Sequence, residues 1–260
     1  MKNSQSVEKC PNCKSSNITP YVGGQFGTYD CKKCGYVGAI LIEEEIPLGV
    51  PGHYRSGFDS WLASLYDGSF HIVFFGLSKK LRKLFVDYVP ARDARVLDLA
   101  TGTGEVALTI KKHFQNAQVF GIDLSNRMLA IARKKAKRRG LVVQFKQENM
   151  ERVRLPEQSF DVVTISFGLH EVPTKSRERV IHEAYRLLKT GGSFVIMDFN
   201  TPRNAVLRLL FRVFLAIFEE DYAKTFLSQD LKKNLRAIRF RHVKKRLFYN
   251  ELIQVIEGEK

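Results

Sequence analysis

Apolar positions along this chain follow two alternating rhythms. Solid apolar runs fall at Arg95–Leu99, Gln118–Ile122, Val142–Lys146, Phe160–Ser166 and Phe194–Asp198. Each is short enough for a buried strand. Between them apolar residues recur at helical spacing: from Glu105, and on the stripes Met128, Leu129, Ala132, Ala136 and Val180, Ile181, Ala184, Leu187, Leu188. Ser125 and Thr174 stand where caps would open two of these helices, and Gly140 and Gly191 where they would end. Upstream, Phe58–Tyr66 and Lys79–Tyr88 also have helical spacing; downstream, a helix over 228–237 precedes strands at Phe240–Phe248 and Glu251–Glu257. Strands alternating with helices predict an α/β fold with a doubly wound, mostly parallel sheet, closed by an antiparallel pair. The N-terminal stretch is different. Tyr36–Ile42 alternates like a strand, Glu43–Glu45 follow, and Pro47, Pro51 and Gly52 read as a linker. We expect a small domain over 1–47 and a large one over 48–260.

The four cysteines of the chain, Cys10, Cys13, Cys31 and Cys34, all lie in the small domain. Two C-x2-C pairs separated by 17 residues fit a tetrathiolate zinc site. Two disulfides are the alternative, but a reducing compartment disfavours them. With all four positions filled by sulfur, the ion would be structural Zn2+. No export signal and no run of about 20 apolar residues is visible, so the chain is expected to be soluble and cytoplasmic.

Net charge is +15, yet residues 1–47 balance five lysines against five acids. The basic excess therefore lies beyond residue 47, in runs such as Arg133–Arg139 and Lys232–Arg246. Solvated helix faces would account for them, and so would attraction to RNA or to an anionic membrane surface. Charge alone names no partner.

The most informative stretch is Val96-Leu97-Asp98-Leu99-Ala100-Thr101-Gly102-Thr103-Gly104. An apolar strand delivers a glycine turn at its carboxyl end, where open α/β sheets bind ligands. Gly102, Gly104 and Ala107 satisfy the G-x-G-x-x-A pattern of dinucleotide sites, with Asp123 at about the right distance for a ribose. Asp98 discriminates: a carboxylate beside the turn repels a diphosphate but suits an ammonium group and a sulfonium. Asp123 serves the ribose of either cofactor. Asn149 and Met150, after the third strand, offer an amide for the adenine edge and an apolar side chain for its face. Asp123 could equally be a helix N-terminus acid, and Asn149 a turn residue.

From about residue 58 to residue 200 the chain resembles the class I methyltransferases, most closely the C-methyltransferases of ubiquinone and menaquinone biosynthesis. The words that carry the resemblance are Val-Leu-Asp-Leu-Ala-Thr-Gly-Thr-Gly from Val96, Gly-Ile-Asp-Leu-Ser-Asn-Arg-Met-Leu from Gly121, Ser-Phe-Asp-Val-Val-Thr-Ile-Ser-Phe-Gly-Leu from Ser159 and Leu-Leu-Lys-Thr-Gly-Gly from Leu187. The resemblance implies a seven-stranded, Rossmann-like sheet and S-adenosylmethionine as cofactor. It implies contacts from Thr103, Asp123, Asn149, Met150 and Ser166, with Asp98, Gly102 and Gly104 shaping the methionine end and Tyr66 on a lid helix. Two features depart from the quinone enzymes: His170-Glu171 where they carry Arg-Asn, and the cysteine-rich domain.

Methyl transfer from a sulfonium needs alignment and, for a protic nucleophile, a proton acceptor. His170, ending the fourth strand, is the candidate base for a phenol or enol; a loop histidine bonded to a carbonyl is the plain alternative. Glu171 would orient it, bind a cation or simply be solvated. Ala205–Phe218 is apolar and follows the fifth strand; it would receive a greasy acceptor, touch a membrane surface or pack on the sheet. Three functions stand at this point. They are a small-molecule methyltransferase for an aromatic or lipid-like acceptor, an RNA methyltransferase with a zinc-ribbon accessory domain, and a non-catalytic zinc-ribbon adaptor. The ribbon would pack on the catalytic domain or recruit a protein partner.

Overall fold

In this computed structural model, the structure describes residues 5–10, 12, 13, 15, 17–20, 29–35, 37, 38, 42–46, 78–218 and 221–260. The chain divides into two compact units, Met1–Tyr54 and Arg55–Lys260. The boundary expected near residue 48 and the helix expected over Phe58–Tyr66 lie outside the described residues.

The first unit holds two small antiparallel sheets. β1 (Gln5–Lys9) pairs with β5 (Ile42–Ile46), and β3 (Tyr29–Cys31) lies between β2 (Ile18–Pro20) and β4 (Val37–Gly38). Glu43–Glu45, which follow the strand predicted over Tyr36–Ile42, are themselves the centre of β5, where Glu44 is paired with Val7 across the ladder. The predicted strand over Tyr36–Ile42 is described only at Val37–Gly38 and at its last residue.

The second unit is built on seven strands: β6 (Arg95–Leu99), β7 (Gln118–Asp123), β8 (Gln144–Gln147), β9 (Phe160–Ser166), β10 (Leu188–Phe199), β11 (Arg241–Phe248) and β12 (Ile253–Glu259). Their order is β11-β12-β10-β9-β6-β7-β8. β10, β9, β6, β7 and β8 are parallel, while β12 runs antiparallel to both β10 and β11. The helices among the described residues are α1 (Ser78–Lys83), α2 (Glu105–His113), α3 (Asn126–Arg139), α4 (Thr174–Leu187), α5 (Ala205–Phe218), α6 (Asp221–Leu227) and α7 (Leu231–Ala237). Among the described residues no helix is long and apolar enough to cross a membrane.

The solid strand runs are explained by burial on both faces. Val96, Val162, Val195 and Val255 point to one core with Leu81, Leu108, Leu129 and Ala132 of α1 to α3. Leu97, Val163, Ile196 and Ile256 point to the other, with Val180, Ile181, Phe226 and Leu235 of α4, α6 and α7. Each such valine, leucine, isoleucine or phenylalanine contributes roughly 1.5–3 kcal/mol relative to exposure.

The caps divide. Ser125 Oγ accepts the N–H of Met128, and Gly140 closes α3 at φ 63°, both as expected. Thr174 is not a cap: α4 starts after Pro173 without a side-chain cap bond, and Thr174 Oγ1 instead accepts from Gln229 Nε2. Nor does Gly191 end that helix. The chain turns extended at Leu188, which pairs with Phe160, and Gly191 at φ 78° sits in the irregularity that shifts the β9–β10 register before Ser193.

Candidate active site

β6 stands between β7 and β9, so strand order reverses at its carboxyl end, the place where open α/β sheets hold ligands. The turn that leaves β6 is left-handed at Ala100, Gly102 and Gly104, with φ of 48°, 54° and 80°. The two glycines serve different ends. A Cβ on Gly104 would meet Ala132 Cβ and Phe145 Cζ at 2.8 Å, so packing of α2 against α3 already demands glycine there. Around Gly102 such a Cβ would meet nothing within 4 Å, which leaves open space above the turn.

Two carboxylates fix this turn. Asp123, at the end of β7, accepts the Gly102 N–H at 2.8 Å on Oδ2 and the Ser125 N–H at 2.9 Å on Oδ1. Asp98 is 1% exposed and accepts hydroxyls from Thr101 at 2.5 Å and Thr164 at 2.7 Å. Burial pushes its carboxyl up to about 6, against the pull of those hydroxyls and the Ala107 N–H, with the Asp123 charge adding to the rise. Thr164 was not apparent in the sequence, since a threonine within an apolar strand resembles any β-branched filler.

Thr103 is buried in the same turn, and Ser166 is half-buried at the end of β9. After β8, the Glu148 N–H donates to Asp123 O at 3.1 Å, which sets Asn149 and Met150 beside that strand end. Asn149 Oδ1 accepts the Glu151 N–H at 2.9 Å, so its carbonyl also shapes its own turn. Tyr66 lies outside the described residues.

The loop beyond β9 closes on the glycine turn. A Cβ on Gly168 would lie 2.9 Å from Ala100 Cβ, so only glycine allows the two loops to touch. His170 follows, 3% exposed, with Nδ1 at 2.7 Å from Asp198 Oδ1 at the end of β10. Asp198 Oδ2 accepts the backbone N–H groups of Leu169 and His170 at 3.2 and 3.3 Å, and Oδ1 accepts that of Phe199 at 2.8 Å. The imidazole lies against the rings of Phe199 (4.7 Å between centroids) and Phe226 (6.3 Å); Phe199 in turn meets Phe167 and Phe211. Arg177 of α4, fully buried, donates from Nε to Leu169 O at 2.9 Å and from its other nitrogens to Tyr222 O, Thr225 and Gln229. Asp198 and Arg177 also escaped the sequence reading. Both sit inside otherwise ordinary elements, and their partners are distant in the chain.

With this geometry in view, the comparison with known proteins is specific. The residue profile of the ubiE/COQ5 methyltransferase family matches residues 55–232. The chain belongs to this family. The demethylmenaquinone methyltransferase of Thermus thermophilus is 38% identical over 156 residues, covering 60% of this chain and 70% of that relative. A Bacteroides fragilis enzyme of the same name is 30% identical over 176 residues, covering 66% and 70%. In fold, the phosphoethanolamine N-methyltransferase 2 of Haemonchus contortus, solved with S-adenosyl-L-methionine, aligns at a TM-score of 0.63 over 85% of this chain and 62% of its own, at 17% identity. This family member is thus an S-adenosylmethionine-dependent methyltransferase of class I architecture, with the mostly parallel seven-stranded sheet read from the sequence.

Outside the matched residues, the four cysteine sulfurs of the first unit lie within 4.8 Å of one another. Cys10 Sγ is 3.6 Å from Cys34 Sγ, and Cys13 Sγ is 3.5 Å from Cys31 Sγ. A disulfide needs about 2.05 Å. A tetrahedron with zinc–sulfur bonds of about 2.3 Å has sulfur–sulfur edges of roughly 3.8 Å. The donor set fits the second. Gly35, at φ 71° with its N–H on Cys31 O at 2.9 Å, closes the second knuckle.

Proposed function

We propose that this methyltransferase acts on a small aromatic, lipid-like acceptor of the reduced-quinone type, and that His170 accepts its proton. The reading rests on one observation above all: the His170 loop abuts the glycine turn through Gly168 and Ala100, inside a lining of Phe167, Phe199 and Phe226. The names of the Thermus and Bacteroides relatives point to the same acceptor class.

Bound S-adenosylmethionine supplies an electrophilic methyl on a sulfonium, which departs as a neutral thioether. The acceptor must bring the electron pair. A phenol or hydroquinone can do so once its hydroxyl proton is removed, whereas an oxidised quinone ring cannot. In our reading Asp123 accepts the ribose hydroxyls, while Asn149 and Met150 flank the adenine. Thr103, Ser166 and Tyr66 complete the cofactor contacts. Asp98, behind Gly102 and Gly104, sets the charge at the methionine end.

A lipid-like acceptor also suits α5. Its Val206, Leu209, Leu210 and Val213 are 50–69% exposed on one helix face, beside an open groove of about 580 Å³ next to Leu207. Such a face can rest on a membrane that carries the acceptor. The exposed cations of β11, Arg241, Lys244, Lys245 and Arg246, are those of a sheet edge guarded against pairing with another chain, so they lend no weight to an RNA substrate. In the first unit we propose structural Zn2+ on Cys10, Cys13, Cys31 and Cys34. Metal analysis of the purified protein should return one zinc per chain, and Cys31→Ser should lower it.

The test is methyl transfer from labelled cofactor to a demethylmenaquinol analogue, with structured RNA as the competing acceptor. Label in the quinol, reduced at least 100-fold by His170→Gln, is the expected result. Label in RNA alone would overturn the reading.

A further inference from the structure

Resting on the reading of His170 as base, we infer that Asp198 is a positioning residue that sets the tautomer of His170 and so makes Nε2 the nitrogen that takes the acceptor's proton. A neutral imidazole carries one proton, on Nδ1 or on Nε2, and the group facing Nδ1 decides which. Here that group is Asp198 Oδ1, at 2.7 Å. Asp198 cannot act as the donor in this pair. Oδ2 is filled by the N–H groups of Leu169 and His170, and Oδ1 already accepts from Phe199. Three backbone N–H donors stabilise the carboxylate form, and an imidazole is the stronger base, so the proton shared by this pair stays on the ring. Nδ1 therefore holds the hydrogen.

The surroundings keep the arrangement in place. Phe199 and Phe226 fix the ring plane. Arg177, donating to Leu169 O from α4, brings a positive charge to the far side of the same loop, and Glu171 follows in the chain. When the acceptor's O–H bond breaks, its proton forms a new N–H bond at Nε2 and the electron pair stays with the acceptor, whose new bond to the methyl carbon replaces the carbon–sulfur bond. Where a ring carbon is methylated, its C–H proton is then lost to water as the ring becomes aromatic again. The imidazolium so formed is neutralised in place by Asp198 and later releases its proton to water. Asp198 touches neither the reactant nor the cofactor in this scheme; it acts through the ring.

The experiment is nitrogen-15 NMR of histidine-labelled full-length protein, with the His170 signals identified by their loss in His170→Gln. It is paired with steady-state kinetics of Asp198→Asn. The expected spectrum has Nδ1 protonated and Nε2 bare at neutral pH. In Asp198→Asn an amide that keeps its oxygen on the Leu169 and His170 N–H groups turns its NH2 toward Nδ1, so the proton should move to Nε2. We expect kcat to fall roughly 100- to 10,000-fold while the KM of each substrate changes less than about threefold. The pH at which activity rises should move downward as the imidazolium loses its carboxylate. A wild-type Nε2–H tautomer overturns the inference even if Asp198→Asn fails to fold. So does a slowed Asp198→Asn that retains the Nδ1–H signal, which marks a structural role only. Full activity in His170→Gln would instead remove the base assignment on which the inference stands.

Discussion

Asp98 and Glu105 lie seven residues apart at the two ends of one turn, and their surroundings drive them in opposite directions. Burial pushes both up. Among the described residues Asp98 meets hydroxyls and an N–H but no cation, and its carboxyl settles at about 6. Glu105, 15% exposed at the start of α2, meets Arg139 at 2.8 Å, Lys135 at 2.9 Å and Arg82 at 3.6 Å. Those cations outweigh the burial and hold it at about 2. The difference separates two uses of a carboxylate. Glu105 is already neutralised and ties α1, α2 and α3 together. Asp98 is poised to gain from a cation that none of the described residues provides, and the sulfonium cofactor is such a cation.

The sharpest way to break this contrast is Asp98→Asn. With the charge gone, calorimetry should find S-adenosylmethionine bound about 10- to 100-fold more weakly, the worth of roughly 1.5–3 kcal/mol for a charged partner. Unchanged affinity would make Asp98 a purely structural residue. The same substitution should stabilise the free protein at pH 8 by ~2 kcal/mol, read as a higher Tm. The sign follows from the raised value. Asp98 favours the folded state most below its ordinary 3.8, and that contribution disappears as pH rises through about 6. Cofactor affinity runs the opposite way. It should weaken by about tenfold per pH unit below 6, and stay flat there in Asp98→Asn.

Glu105→Gln should show the reverse behaviour: a loss of ~1–2 kcal/mol at neutral pH with little effect on cofactor binding. Its contribution is present above 4.5 and disappears as pH falls toward about 2, so wild type and variant should converge in acid. Equal stability at pH 7 would mean the three cations add nothing net. The smallest effect is expected for Thr164→Val, which removes one hydroxyl from Asp98. About 1 kcal/mol is at stake, seen as an upward shift in the pH at which cofactor affinity falls off.

Much of this was legible from the order of residues alone. The glycine turn, Asp123, the Ser125 and Gly140 caps and the cysteine spacing are local patterns, where identity and spacing state the requirement directly. Long-range partners were not. Asp198 lies in a strand whose apolar run shows only that it is buried, and its imidazole is 28 positions away. Gly191 misled for a related reason: a positive φ serves a helix end and a strand irregularity equally, and only pairing partners distinguish them.

One feature of the sheet bears on how the chain is made. β12 follows β10 and β11 in the chain, yet it fits between them in the sheet. A nascent chain ending before Ile253 would lack the strand that pairs with both β10 and β11. Assembly of that side of the sheet must wait for translation of β12, and the half-built sheet is most open to aggregation in that interval.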